Sequence, residues 1–183
     1  MHNGQRILLL LIVLLGSTTP GRAQQGSTAA DDRGGGIVTG SLAEIRNRRR
    51  LLLLVQRSSV VDSRGMAKTI LSEAYRQTPE ARSRYPRVFN TIARKINKYI
   101  RKYQSLTSVE NLSDAEFIVV FNLLEIRRPL GYPYPYGEMF VILNDTAGGR
   151  QPRIIWKTRK TSVWVEDAIE DFIRDLKAAR GES

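Results

Sequence analysis

Glu125 and Glu138 are the residues best placed for bond-making chemistry. They lie near the facing ends of consecutive predicted strands, and hydrolysis by a general acid and a general base needs only two placed carboxylates. No motif surrounds them, and solvated acids at strand ends are commoner than catalytic ones. Other catalytic sets are absent. The only histidine is His2, inside an N-terminal segment expected to be removed, and there is no cysteine. Ser-His-Asp and Cys-His catalysis, and metal sites built on imidazole or thiolate, are therefore excluded from the expected working chain. It carries no Ser-x-x-Lys motif, no phosphate-cradling loop and no dinucleotide fingerprint. Gly34, Gly35 and Gly36 follow no predicted strand and read as linker. The expectation is a non-enzymatic protein with no catalytic residues, no metal ligands and no cofactor.

Two segments have the chemistry of binding instead. Between residues 87 and 103, Val88, Phe89, Ile92, Ala93, Ile96, Tyr99, Ile100 and Tyr103 recur at helical spacing. Arg87, Arg94, Lys98 and Arg101, with Lys95 and Lys102 beside them, fall on the opposite side. Such a stripe can hold phosphates or acidic sugars. It can equally be an ordinary solvated face, neutralised by the acidic start of the last helix. The second segment is 127–137 (RRPLGYPYPYG). Its alternating prolines favour extended backbone, and Tyr132, Tyr134 and Tyr136 offer broad amphipathic surfaces at low entropic cost. It reads as a gripping loop, or as a stiff connection whose tyrosines lie back on a sheet.

The elements that must position these residues follow from periodicity. Residues 51–55 (LLLLV) form an apolar pentad flanked by polar residues, as in a strand buried on both faces. A helix is predicted over 64–77, interrupted at Thr78-Pro79, and a second starts near Pro86. Strands follow at 116–125, 137–145 and 153–160, the last alternating in the manner of an edge. Turn formers at 144–152 suggest a hairpin between the last two. The final helix spans 165–179, with acids at its start, Lys177 and Arg180 at its end and Gly181 beyond. Ser41 and Glu44 have capping-box spacing. The expected order is β-α-α-β-β-β-α, an α/β (α+β) fold with a mixed four-stranded sheet and helices packed on it. The first and second strands are expected to be parallel and the last three an antiparallel meander.

Residues 1–23 have the layout of a secretory signal peptide: Arg6, an apolar run of nine residues at 7–15, then small residues before a cut after Ala23. A membrane span needs about 20 apolar residues, so this run is too short. Residues 24–40 read as a flexible leader and 41–183 as a single α/β domain. The expected exported chain has 160 residues with 27 basic and 18 acidic groups, a net charge of +9. That balance favours anionic partners, and export makes nucleic acid an unlikely one. A cysteine-free exported chain of this length suits a bacterial periplasm, or secretion, better than a small disulfide-rich extracellular module. Asn111 and Asn144 fall in glycosylation triplets, which matter only in a eukaryotic source.

Residues 113–121 (SDAEFIVVF), 137–141 (GEMFV) and 153–157 (RIIWK) carry a resemblance over roughly 106–160. In these strand patterns the chain resembles small Gram-negative envelope α/β domains of unknown function, often lipoproteins. It departs from them in lacking an acylated cysteine, and the resemblance implies no catalytic residues. The expectation is an exported binding module of the bacterial envelope. Its ligand would be an acidic glycan, a lipid headgroup or a protein partner. The alternatives are a carboxylate-dependent hydrolase of envelope glycans and a structural envelope component.

Overall fold

The computed structural model describes residues 38–57, 85–145 and 152–183. The expected signal segment, most of the leader, the helix expected at 64–77 and the turn at 146–151 lie outside those residues. Six strands are described: β1 (Arg50–Gln56), β2 (Thr107–Val109), β3 (Phe117–Arg127), β4 (Tyr134–Leu143), β5 (Arg153–Lys157) and β6 (Val163–Trp164). Two α-helices accompany them, α1 (Pro86–Tyr103) and α2 (Val165–Arg180).

The strands form one mixed sheet in the order β2-β1-β3-β4-β5, with β6 also paired to β4. β1 runs parallel to β2 and β3, whereas β3–β4, β4–β5 and β4–β6 are antiparallel. The mixed α/β class is therefore present, but the expected four strands are six. β2 and β6 are three and two residues long, too short to display alternation in sequence. Each exists because a longer strand leaves hydrogen-bonding groups at its edge. The Thr107 N–H donates to the Arg49 carbonyl at 2.7 Å, extending the edge of β1. β6 covers β4 at Tyr136 and Gly137, where β5 no longer reaches. Within the span expected to be leader, Val38 bridges Ile154, and the Thr39 N–H donates to the Ile154 carbonyl at 2.9 Å.

Both sheet faces are buried, as a strand with a parallel neighbour requires. On one face Leu51, Leu53, Val55, Phe117, Val119, Phe121, Met139 and Val141 meet the apolar sides of α1 and α2. Val88, Ile92, Ile96 and Tyr99 contribute from α1, and Val165, Ala168, Ile169, Phe172 and Leu176 from α2. Each such large side chain taken from water stabilises the fold by about 1.5–3 kcal/mol. The opposite face holds Leu52, Leu54, Ile118, Val120, Phe140, Ile142 and Ile154, joined by Ala115.

Local rules set the helix ends. Pro86 occupies the first turn of α1, where a missing N–H costs nothing. The helix stops at Gln104, whose left-handed backbone lets its N–H donate to the Ile100 carbonyl at 2.8 Å. α2 has Glu166 and Asp167 in its first turn, Lys177 and Arg180 in its last, and Gly181 at φ 69° as its cap. The Arg180 guanidinium also donates to the carbonyls of Ser105 (3.2 Å), Ile45 (2.9 Å) and Arg48. Near the same C-terminal end of α1, Tyr99 donates to Glu182. Burial, followed by that hydrogen bond, pushes the Tyr99 phenol up to about 12. The Ser41 N–H donates to Glu44 Oε1 at 3.1 Å, opening the short 3-10 turn Leu42–Ile45.

Gly137 is the one position on β4 where any side chain is refused. A Cβ there would fall far inside contact distance of the Asn122 carbonyl oxygen and 2.9 Å from the Phe121 ring. Gly137→Ala should therefore cost about 2 kcal/mol through overpacking, a fall in Tm of roughly 6 °C for a domain of this size. Thermal unfolding of the two chains checks this. An unchanged Tm would show that β3 and β4 separate there at no cost.

Candidate functional site

The basic stripe of α1 is laid out as its period requires. Arg87, Arg94, Lys98 and Arg101 are all exposed and extend over about 21 Å of helix at 1.5 Å per residue. None of the four forms an ion pair with another described residue. The acidic start of α2 neutralises a different cation: Lys95 Nζ lies 2.5 Å from Glu170 Oε1. Lys102 lies 4.8 Å from the centroid of the Tyr103 ring. The four expected binding cations are thus exposed and without an acidic partner among the described residues.

The segment at 127–137 divides into parts that the sequence reading joined. Tyr134 and Tyr136 belong to β4 and pair with Arg127 and Glu125 of β3, so only residues 128–133 form the connection. Tyr136 lies beneath the Arg127 guanidinium, 4.2 Å from ring centroid to Cζ, and Tyr134 packs on Trp164 with ring centroids 5.9 Å apart. These two tyrosines are half-buried parts of the sheet, whereas Tyr132 is 70% exposed at the hairpin end. The three do not form one gripping surface.

The hairpin end has its own character. A 3-10 turn, Pro129–Gly131, places Leu130 at φ 54°, ψ 27°, and leaves its side chain 97% exposed. Left-handed backbone at a branched apolar residue is strained, and such strain persists where surrounding structure imposes it. Between this end and the start of α1 lies a cleft of about 500 Å³. Its apolar wall includes Tyr85, Val88, Ile126, Pro133 and Pro135. Arg87 and Arg128 contribute its cationic groups. The cleft is where the stripe and the hairpin meet, through Arg87.

A polar row crosses the sheet face opposite the two helices. Gln56 pairs with Asn122, and Asn122 with Glu138. Residues directly opposite on neighbouring strands share a face, so the three align among apolar rows. Glu138 is 5% exposed, and its Oε2 has no hydrogen-bond partner among the described residues. Burial pushes its carboxyl above the usual range, and the Lys157 ammonium offsets only part of that. Gln56 and Asn122 were missed as site residues. The signal available was that each is the polar exception ending or interrupting an apolar strand run; their alignment needs the register.

Glu125 stands opposite Tyr136, two residues from Glu138 along β4. The two glutamates are therefore on one face as diagonal neighbours, beside the β-bulge between Leu123 and Glu125. Cross-strand diagonals are typically about 7–8 Å apart. Their environments differ in sign. Arg127, then the Ser162 hydroxyl at 2.8 Å, hold the Glu125 carboxyl below the usual range. Glu116 is not part of this site. Burial pushes its carboxyl up, but the backbone donors of Arg50 and Arg49, at 2.9 and 2.7 Å, outweigh this and leave it low. Among the described residues, no group of three or more His, Cys, Asp or Glu could hold a metal ion.

No protein-family model matches the chain, and no curated protein matches it. Among solved structures it is similar to a PelC variant dodecamer from Paraburkholderia phytofirmans. The identity is 12% and the TM-score 0.35, over 80% of this chain and 94% of that one.

Two stability measurements test the geometry. Leu130→Gly removes an exposed side chain and the left-handed penalty, about 1–2 kcal/mol. Against this stands the larger unfolded-state entropy of glycine, about 0.5–1 kcal/mol. Tm should therefore be unchanged or slightly raised, and a clear fall would mean that Leu130 is packed. Glu138 holds its proton more tightly in the folded chain than in the unfolded one, where its pKa is about 4.3. Its favourable contribution is complete below that value and is lost as pH rises through the folded pKa. Glu138→Gln should leave stability near pH 4 unchanged and raise it at pH 8 by about 1 kcal/mol, the scale of an unsatisfied buried group. Identical pH profiles in denaturant titrations would rule out a buried, unpaired carboxyl.

Proposed function

We propose that this chain is an exported, non-enzymatic binding module of the bacterial envelope whose ligand is an anionic envelope component. The observation that carries the reading is the stripe formed by Arg87, Arg94, Lys98 and Arg101: exposed, regularly spaced and without acidic partners among the described residues. Burying cations in ion pairs would have been available to the fold, as Lys95 with Glu170 demonstrates. A row of exposed cations along one helix attracts a polyanion at long range and holds it at several points. The net charge of +9 on the expected exported chain adds to that attraction. The strand-pattern resemblance of 106–160 to envelope domains belongs to the same proposal.

Dextran sulfate, a soluble polyanion, tests it. The parent chain should bind it, with affinity falling as salt rises. Combined Arg94→Ala, Lys98→Ala and Arg101→Ala substitutions should weaken binding on the order of tenfold, because three of the four attracting charges are gone. Their exposed positions predict an unchanged Tm. Equal binding by the triple variant would remove the stripe from the reading.

A second reading is supported by the opposed carboxyls. One raised and one lowered acid on a single face is the arrangement that divides acid from base in hydrolases. Under this reading Glu138 is the proton donor and Glu125 the base, acting on an envelope glycan. Hydrolysis of such a glycan that continues unchanged in Glu138→Gln would eliminate it.

A further inference from the structure

Four large apolar side chains are exposed among the described residues: Val38, Ile126, Leu130 and Tyr132. Three of them occupy one place, the end of the β3–β4 hairpin. Leu130 is 97% exposed there, although a polar residue or glycine would suit its left-handed backbone better. Folding alone gives no return for an apolar side chain held in water in a strained conformation. Clustering of this kind marks a contact surface.

What surrounds the cluster narrows the partner. Arg128 precedes Leu130 by two residues, and Arg87 faces the same cleft from the start of α1. Neither guanidinium has an ion pair among the described residues. Tyr132 has an apolar ring with a polar tip, the form favoured where hydrocarbon meets water. An apolar point, an aromatic collar and flanking cations match the layered chemistry of an anionic bilayer surface: hydrocarbon, interface, phosphate. A soluble acidic glycan would satisfy the arginines and leave Leu130 in water.

We propose that the end of the β3–β4 hairpin is a membrane-contact tip, with Leu130 and Tyr132 entering the interface and Arg87 and Arg128 holding lipid phosphates. The inference rests on the anionic-ligand reading above and names its source as a phospholipid surface. Among the described residues no helix is long and apolar enough to cross a membrane, so the tip contributes peripheral attachment.

The chain has no cysteine, so a single Leu130→Cys substitution accepts an environment-sensitive dye at the tip. That readout is local and is not confused by apolar contacts elsewhere, including residues 7–15. Vesicles made of equal parts phosphatidylglycerol and phosphatidylcholine should shift the dye emission to the blue, whereas pure phosphatidylcholine should not. A dye at exposed Glu110, introduced as Glu110→Cys, should not respond. Adding Arg87→Ala and Arg128→Ala should raise the lipid concentration for half-maximal shift about tenfold, from the loss of two surface cations. In co-sedimentation, Leu130→Gly should bind these vesicles about tenfold more weakly than the parent, the effect of one lost leucine. Its binding to dextran sulfate should be unchanged. A tip dye that stays in water, or Leu130→Gly binding as the parent does, overturns the proposal. If dextran sulfate still binds in that case, the stripe reading survives and a glycan ligand replaces the bilayer. If neither probe binds the parent chain, both readings fall together.

Discussion

The need to bury both faces of β3 governs the rest of this molecule. Its first seven residues are all buried, and it lies between β1, parallel to it, and β4, antiparallel. A strand in that position cannot leave one face to water, so alternate residues must enter separate apolar layers. Phe117, Val119 and Phe121 meet the helices, while Ile118 and Val120 enter the second layer. Removing either layer would expose large side chains, each worth about 1.5–3 kcal/mol when buried. The two helices cover the first layer, and the Lys95–Glu170 ion pair and the Arg180 contacts tie them to each other and to segments distant in sequence.

The unusual groups lie where that constraint relaxes. β3 and β4 continue past β1, which ends at Gln56 opposite Asn122. At this boundary the second layer changes from apolar to polar, through the row containing Gln56, Asn122 and Glu138. Beyond it a bulge shifts the pairing, and such irregularities commonly accompany the re-aiming of side chains. Farther still, the hairpin projects with Leu130 strained and exposed. The two glutamates of the pair differ for the same reason: Glu138 lies in the buried row, where burial raises its carboxyl, and Glu125 lies past it, where Arg127 and then the Ser162 hydroxyl hold its carboxyl low.

How much of this was legible depends on whether a feature is local. The faces of α1 and α2 could be read residue by residue, because a period of 3.6 repeats many times in sixteen or eighteen residues. The parallel relation of the strands at 51–55 and 116–125 followed from the crossover between them. The separation of Tyr132 from Tyr134 and Tyr136 could not be read. Proline at 133 and 135 argues for a loop, yet β4 accepts Pro135 opposite Ile126. There the pairing with β3 outweighs the local preference.

The amino-acid order alone determined the mixed α/β class, the amphipathic helices with their polar stripes, the doubly buried central strands and the absence of thiols. Each depends on residue type and on spacing along the chain, which dominate wherever a segment is long enough to repeat its pattern. Tertiary structure alone decided the registers, the edge strands β2 and β6, the alignment of Gln56 with Asn122 and Glu138, and the meeting of Arg87 with Arg128 across a cleft. These depend on hydrogen-bond partners distant in sequence. A shift of one residue in pairing would turn Glu138 to the helix-covered face without changing any local pattern.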